Sequence, residues 1–307
     1  MNNILVTGGS GQIGSELKTL KNNNKYKFFF PSSKKLDIRN KKSIIDFLDN
    51  NKINLVLNFA AYTDVDKAEE QKKIAKEINY TGPINLSIET VKRDIGLIHF
   101  STDYVFGKGA NGVKSYNSKV SPINYYGYTK LNIEEQLKWH SKIYGLKYSA
   151  LRYFNAVGYD VKGRIKEEEV SSSNLFPIIM KVACGKLDKM YVYGVDYKTK
   201  DGSCIRDYIH VSDLSSAHLL AMEYITVTNK NLITNLATGR GYSVLETIKK
   251  FEDIIKININ FESTKRREGD PDIVIAKTNH AEEILGWSPK FSDIDTIIES
   301  MWQVYNN

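Results

Sequence analysis

A short apolar run, Ile4–Val6, leads directly into Thr7-Gly8-Gly9-Ser10-Gly11-Gln12-Ile13-Gly14 and then into an amphipathic stretch reaching about Leu20. Gly8, Gly11 and Gly14 stand at G-x-x-G-x-x-G. Glycines between a strand and a helix let backbone amides approach a diphosphate, and the helix N-terminus adds positive dipole. The plainer reading is a turn that only needs positive φ. Strand before and helix after predict a dinucleotide site at Gly8, Gly11, Gln12, Ile13 and Gly14.

The rest of the first half keeps that rhythm. Tyr26–Phe30, Leu55–Phe59, Leu97–Phe100 and Lys147–Arg152 read as strands. Ser43–Leu48, Asp66–Ile78, Pro83–Val91 and Ile123–Tyr144 read as helices. Strands alternating with helices predict an α/β fold, a Rossmann-type doubly wound parallel sheet. After about Val157 the rhythm loosens. Short strands (Tyr191–Val195, Arg206–His210) and helices (Asp213–Glu223, Val244–Ile254) lie among long loops. The expected division is a dinucleotide-binding domain over 1–156 and a smaller C-terminal substrate-binding lobe over 157–307, with segments returning to the sheet. Lys21–Lys25 and Ser171–Ser173 read as solvated loops.

Charge needs splitting before it is used. The net charge is +7, but residues 1–150 carry +9 and residues 151–307 carry −2. Only 8 of the 43 basic residues are Arg and most Lys are scattered among acids, which argues against a nucleic-acid partner. Two cysteines, Cys184 and Cys204, form no CxxC pair and have no His at metal spacing, so no metal site is expected. They suit a reducing compartment. No apolar run approaches the ~20 residues of a membrane span, and the polar start of the chain does not read as a signal peptide. The expectation is a cytoplasmic protein.

Tyr126 and Lys130 form Tyr-x-x-x-Lys at the head of the long helix, so both side chains share one face. A free tyrosine ionises near pH 10, too high for a base at neutral pH, and a nearby ammonium is expected to lower it. Thr102 ends a strand at the carboxyl edge, where open α/β sheets place ligands. Its hydroxyl suits a substrate oxygen that becomes a carbonyl. Thr102, Tyr126 and Lys130 are the expected catalytic set, with Lys130 also reaching ribose hydroxyls. Asp103 reads as a second proton carrier or a plain strand-end residue. Tyr125 and Tyr128 read as packing or surface residues.

The glycine loop and this set resemble the extended short-chain dehydrogenase/reductase family that acts on sugar nucleotides. Residues 1–140 are similar to the 4-ketoreductases typified by dTDP-4-dehydrorhamnose reductase, through Leu36-Asp37-Ile38, Ala60-Ala61-Tyr62-Thr63, Val65-Asp66-Lys67-Ala68-Glu69 and Ser101-Thr102-Asp103-Tyr104-Val105-Phe106. The resemblance implies that Asp37 and Ile38 touch adenine, Ala60 and Ala61 line the dinucleotide, and Asn79 supports the nicotinamide end. Family dehydratases carry Thr-Asp-Glu where this chain has Tyr104 in third place, which disfavours elimination of water. NAD is the expected cofactor. A carboxylate at the end of strand two pairs with the ribose 2′-OH of NAD and repels a 2′-phosphate. Here Pro31-Ser32-Ser33-Lys34-Lys35 offers hydroxyls and ammoniums, with no acid until Asp37. Ser32 and Ser33 are therefore expected contacts in a site that tolerates or prefers NADP(H). A Lys-rich surface loop is the plainer reading.

From about Lys147 the chain resembles the UDP-glucose 4-epimerases. The matches are Leu151-Arg152-Tyr153-Phe154-Asn155, Asn174-Leu175-Phe176-Pro177, Tyr193-Gly194-Val195-Asp196-Tyr197, Arg206-Asp207-Tyr208-Ile209-His210-Val211, Asn235-Leu236-Ala237-Thr238-Gly239 and Arg266-Arg267-Glu268-Gly269-Asp270. The likeness implies that Arg206 and Arg267 clamp a diphosphate, a task for forked guanidinium donors. It implies that Asn155 and Asn174 position diphosphate and sugar, that Leu175 and Tyr193 flank uracil, and that Asp270 takes a ribose hydroxyl. Taken singly, an Arg206–Asp207 ion pair and a turn at Asn155 are equally good readings. Epimerases restricted to UDP-glucose and UDP-galactose carry a bulky aromatic where Val274 stands. A smaller residue there is expected to admit a 2-acetamido group.

The leading expectation is a nicotinamide-dependent UDP-hexose 4-epimerase, working through a transient 4-keto sugar. The runner-up is an NADPH-dependent 4-ketoreductase. A dinucleotide sensor is a third reading, but it has no need of Tyr126. The resemblance also implies a homodimer through two long helices, including Ile123–Tyr144.

Overall fold

The apolar runs of the amino-terminal half pair as strands, and the amphipathic stretches between them coil into helices. The computed structural model describes residues 2–19, 25–107, 112–168, 174–267 and 269–306. Of the expected solvated loops, Lys21 to Asn24 and Ser171–Ser173 lie outside the described residues, as does Leu20 at the end of the first helix. The first elements are β1 (Asn2–Thr7), α1 (Gln12–Thr19), β2 (Tyr26–Phe29), α2 (Lys41–Asn50), β3 (Leu55–Asn58), α3 (Val65–Glu70), α4 (Lys72–Lys76), α5 (Gly82–Lys92), β4 (Gly96–Thr102), β5 (Val113–Lys114), α6 (Tyr125–Tyr144) and β6 (Tyr148–Tyr153). There follow β7 (Asn155–Val157), α7 (Leu175–Ala183), β8 (Met190–Tyr193), β9 (Ile205–Arg206), β10 (Tyr208–His210), α8 (Val211–Thr228), β11 (Leu232–Leu236), β12 (Tyr242–Ser243), α9 (Val244–Ile255), β13 (Phe261–Thr264), β14 (Ile273–Ala276), α10 (Asn279–Leu285) and α11 (Ile294–Tyr305).

The chain forms two compact units. The first comprises residues 1–107, 119–153 and 215–234. Its sheet has the order β11-β6-β4-β3-β1-β2, and β2, β1, β3, β4 and β6 run parallel. The chain leaves β1 toward β2, then crosses back to β3 on β1's other side. That reversal is a topological switch point, where such sheets bind ligands beyond their carboxyl ends. Leu5, Val56, Leu97, Ile44, Leu86 and Ile133 are buried in its core. The second unit comprises residues 108–118, 154–214 and 235–307. It holds one four-stranded sheet, β12-β9-β14-β5, and two-stranded pairs β10-β7 and β13-β8. Phe176, Met180, Phe251, Ile298 and Met301 are at its core.

Three expectations need correcting. The single helix expected over Asp66–Ile78 is broken into α3, α4 and a π turn, Glu77–Thr81. The long helix begins at Tyr125 and not Ile123, because Asn124 caps it: its side chain accepts from Gly127 N at 2.8 Å. The strand expected over Arg206–His210 divides at Asp207, with β9 joining β12 and β14 while β10 joins β7.

Candidate active site

The glycine loop turns tightly at the end of β1. Gly8 has φ +66°, and a Cβ there would lie 2.5 Å from the Phe59 carbonyl carbon. A Cβ at Gly14 would lie 2.5 Å from Gly9 Cα. At Gly11 an added Cβ meets the Gly8 oxygen at 3.5 Å, so a side chain would project from an otherwise open edge of the loop. Gly11 N donates to Gly8 O at 3.1 Å and Ser15 N to Gly11 O at 2.8 Å, carrying the turn into α1. A side chain at Gly8 or Gly14 would collide with the chain's own backbone, and one at Gly11 would project over the open edge beside the start of α1, so the tight, bare loop fits a dinucleotide diphosphate.

The neighbouring segments close on that loop. Ala60 N approaches Thr7 Oγ1 at 3.4 Å. Thr7, Asn58 and His99 stand opposite one another on β1, β3 and β4. Thr7 Oγ1 bonds Asn58 Oδ1 at 2.6 Å, and Asn58 Nδ2 lies 3.1 Å from His99 Nδ1. Sequence reasoning passed over His99, because a polar rung across three strands has no local signal. Asn79 lies in the π turn and is fully buried. It accepts from Tyr62 N at 2.7 Å and donates to Tyr62 O at 2.9 Å and Thr129 Oγ1 at 3.2 Å. Asn79 thus joins the Ala60–Tyr62 segment to α6.

Beyond β2, Phe30 lies against Gly9: a Cβ on that glycine would come within 2.9 Å of its ring. Ser32, Ser33, Lys34 and Lys35 are exposed. Ser32 O accepts from Lys35 N and Leu36 N, both at 2.9 Å. The Asp37 carboxylate is taken by Arg39 through Nε at 3.0 Å, Nη2 at 2.8 Å and the backbone N at 2.9 Å. That guanidinium holds Asp37 below the usual carboxylate range. Ile38 is buried against Gly82.

Tyr126 and Lys130 are both buried on α6. Two groups fix the start of the helix: the Asn124 cap and Glu69, which accepts from Tyr125 N at 2.6 Å. Gly127 lets α6 press against the Tyr104 carbonyl, where any Cβ would collide. Tyr126 meets Tyr104 edge to face at 5.7 Å. Thr102 Oγ1 lies 3.0 Å from Asp103 Oδ1 and accepts from Tyr104 N at 3.3 Å. Lys130 Nζ donates to Phe100 O at 3.0 Å and sits 3.9 Å above the Phe100 ring.

The electrostatics correct one expectation. Burial and the Asp103 carboxylate push Tyr126 upward, and its hydrogen bond with Thr102 only opposes this. A phenolate away from water is costly, and burial is the largest of these effects. Lys130 is itself brought down to about 7 by burial, with Glu134 pulling the other way. The lowered tyrosine pKa is therefore not a property of the chain alone.

In the second unit, Arg206 pairs with Asp270 at 2.5 Å. It does not pair with Asp207. That carboxylate accepts from Thr238 Oγ1 at 2.6 Å, Thr238 N and Gly239 N at 2.9 Å, and Ala276 N at 3.2 Å. Arg267 lies over the Tyr193 ring at 4.2 Å, and its carbonyl accepts from Asp270 N at 3.3 Å. Arg206, Asp270, Arg267 and Tyr193 are thus neighbours. Tyr197, whose hydroxyl approaches Asp270 Oδ2 at 3.5 Å, and Arg266, which pairs with Asp196 at 2.7 Å, extend the cluster. Both lie inside quoted motifs but were given no role from sequence. Glu268 of the same motif lies outside the described residues. Asn155 donates to Asp207 O at 3.1 Å. Asn174 stands at the N-cap position of α7, and Leu175 packs beside that unit's core. Among the described residues no group of three or more His, Cys, Asp or Glu could hold a metal ion, and no helix is long and apolar enough to cross a membrane.

Comparison with known proteins adds a family. The profile described as the NAD dependent epimerase/dehydratase family matches residues 4–237. A UDP-glucose 4-epimerase of Halalkalibacterium halodurans is 36% identical over 97% of this chain and 94% of its own. The crystal structure of UDP-glucose 4-epimerase from Brucella ovis in complex with NAD has a TM-score of 0.92 at 34% identity, covering 98% of this chain and 97% of that one. The Bifidobacterium longum UDP-glucose 4-epimerase in complex with NAD+ and UDP has a TM-score of 0.90 at 29% identity, covering 99% and 98%.

Proposed function

The chain belongs to the NAD-dependent epimerase/dehydratase family, and from that premise we propose that it is an NAD-dependent UDP-hexose 4-epimerase. The observation that carries the reading is the buried Thr102, Tyr126 and Lys130 set in a chain that aligns almost end to end with UDP-glucose 4-epimerases.

NAD, when bound, supplies the reversible hydride acceptor that no side chain provides, together with positive charge. The Gly8–Gly14 loop, with Gln12 and Ile13 opening α1, would hold its diphosphate; Ala60, Ala61 and Ile38 would line it, and Lys130 would hold ribose hydroxyls. Tyr126 exchanges the proton of the sugar's C4 hydroxyl. Thr102 bonds that oxygen as it becomes a carbonyl. Asn79 acts from behind, through Tyr62 and Thr129. Inversion at C4 requires a flat 4-keto sugar to present either face. Firm recognition must then fall on the nucleoside diphosphate, leaving the sugar free to turn. The second unit supplies groups for that: Arg206 and Arg267 for diphosphate, Asn155 and Asn174 as amide donors and acceptors, Leu175 and Tyr193 for a uracil face, and Asp270 for a ribose hydroxyl. Val274 lies beside Arg206 in the β14–β9 pairing, and its small size supports turnover of 2-acetamido sugars as well.

The cofactor site is also read as tolerant of a 2′-phosphate. The segment after β2 meets the glycine loop at Phe30, it presents Ser32, Ser33 and Lys34, and the first carboxylate, Asp37, is neutralised by Arg39. Homodimerisation fits α6, where Trp139, Ile143 and Tyr144 are 52%, 60% and 62% exposed. Unbridged Cys184 and Cys204 fit a cytoplasmic setting.

The test is incubation of the purified protein with UDP-galactose and no added cofactor. UDP-glucose is expected to form. Turnover only of a 4-keto sugar nucleotide with added NADPH would make the protein a ketoreductase and overturn the reading.

A further inference from the structure

Glu134 lies one turn beyond Lys130 on α6, at the i,i+4 spacing that puts both on one face, and neither is exposed. Its carboxylate receives Arg152 Nε at 2.9 Å and Nη2 at 2.6 Å, and the Ser101 hydroxyl at 2.5 Å. Ser101 and Arg152 are register partners on β4 and β6, and the next pair along is Thr102 with Tyr153. The carboxylate therefore docks the catalytic helix on the last rung before Thr102. The Arg152 guanidinium continues the stack, 5.0 Å from the Phe106 ring.

We propose that Glu134 is a positioning residue for the reaction: with Arg152 and Ser101 it locks α6 on the strand ends so that Lys130 stands beside Tyr126. The inference rests on the reading of Tyr126 and Lys130 as the reacting pair. A buried ion pair adds little net stability over well-packed apolar residues of similar volume, so a fully buried pair at this place needs a role other than stability. Lys130 has the Phe100 carbonyl and ring on one side. The titratable and charged groups around the pair are His99 from β4, Asp103 and Tyr104 after it, Tyr148, Arg152 and Tyr153 from β6, and Glu134 on α6 itself. His99 is buried and held neutral. Asp103 acts on Tyr126 against ionisation. Glu134 is the carboxylate that raises Lys130 against its burial.

The test uses the whole enzyme with UDP-galactose and compares wild type, Glu134→Gln, and the double variant Glu134→Gln with Arg152→Met, which removes the Glu134–Arg152 pair without leaving either of its two charges alone. The pH profile of kcat is recorded for each, and because Lys130 no longer stands beside Tyr126 the profile is expected to depart from the wild-type one in the double variant. Its kcat near neutrality is expected to fall about tenfold with KM changed less than about twofold. An unchanged profile and kcat in a normally melting double variant overturns the proposal. Should that variant not melt cooperatively, Ser101→Ala decides instead. A lowered kcat with unchanged KM supports the role, and a wild-type kcat and profile remove it. Tyr126→Phe is run alongside: if it keeps activity, the reading of the reacting pair has failed, whereas an inert Tyr126→Phe with a wild-type Glu134 profile rejects this proposal alone.

Discussion

Lys130 Nζ lies 5.9 Å from the centroid of the Tyr126 ring, one helical turn along α6, and both residues are buried. The group proposed to exchange the proton and the Lys130 side chain thus share one rigid element, so their separation does not depend on a loop. Tyr126→Phe keeps the packing against Tyr104 and deletes the hydroxyl. Its kcat is expected to fall about 10²–10⁴-fold, the span of a lost general acid–base group, while the nucleotide released on heating the purified protein stays at the wild-type amount. Turnover at the wild-type rate would remove Tyr126 from the chemistry.

Arg206 is held by Asp270 through Nη2 at 2.5 Å and by the Ile205 carbonyl through Nη1 at 2.8 Å, and a guanidinium is the side chain that can offer a diphosphate forked donors. Arg206→Lys keeps the charge and loses the fork. KM for the UDP-sugar is expected to rise about tenfold, roughly 1.4 kcal/mol, with kcat changed far less. Initial rates over a range of UDP-galactose decide this, and an unaltered KM would take Arg206 out of substrate recognition.

Ser33→Asp places a carboxylate in the turn after β2. Affinity for NADP is expected to drop by about tenfold or more, while affinity for NAD holds or improves. Calorimetric titration of nucleotide-free protein measures both. Equal losses for the two nucleotides would mean that the turn does not face the adenosine ribose.

Trp139 and Ile143 are one turn apart on the exposed face of α6. The double variant Trp139→Glu with Ile143→Glu is expected to sediment at half the wild-type mass with its melting otherwise cooperative. Persistence of the wild-type mass would place any self-association elsewhere.

His210 is buried between Ser300, whose hydroxyl lies 3.1 Å from Nε2, and Ser212, whose N donates to Nδ1 at 3.0 Å. Burial brings its pKa down to about 4, against about 6.5 in an unfolded chain. Between those values the unfolded state binds the extra proton, so stability rises with pH there and is lost as pH falls from 6.5 toward 4. The slope from this one group is at most about 1.4 kcal/mol per pH unit. His99 acts in the same sense. Melting temperature is expected to fall between pH 7 and 5, and less steeply in His210→Asn. Identical slopes would assign the acid sensitivity to other groups.

The local parts of the site were legible in the sequence for identifiable reasons. The glycine spacing and the Tyr126–Lys130 spacing each act within a turn or two of chain, whereas Asn124, which caps α6, falls inside the stretch that reads as helix. The Asp66–Ile78 pattern misled because a periodic apolar face does not report where the backbone inserts a π turn, and that turn carries Asn79. Arg206–His210 misled because a continuous β-like run gives no sign that the buried Asp207 will accept from Thr238, Gly239 and Ala276 and so send its two flanks into different sheets.

By itself the sequence determined where most strands and helices of the first unit run, that a glycine turn opens α1, and that Tyr126 and Lys130 face the same way. Those outcomes depend on sterics and hydrogen bonds between near neighbours. Tertiary structure alone decided that Arg206 meets Asp270 and not Asp207, that Glu134 meets Arg152, and that Tyr126 is pushed up and not down. The carboxylates and cations in those pairs come from distant segments, and desolvation is set by everything packed around a group, which no local pattern of residues records.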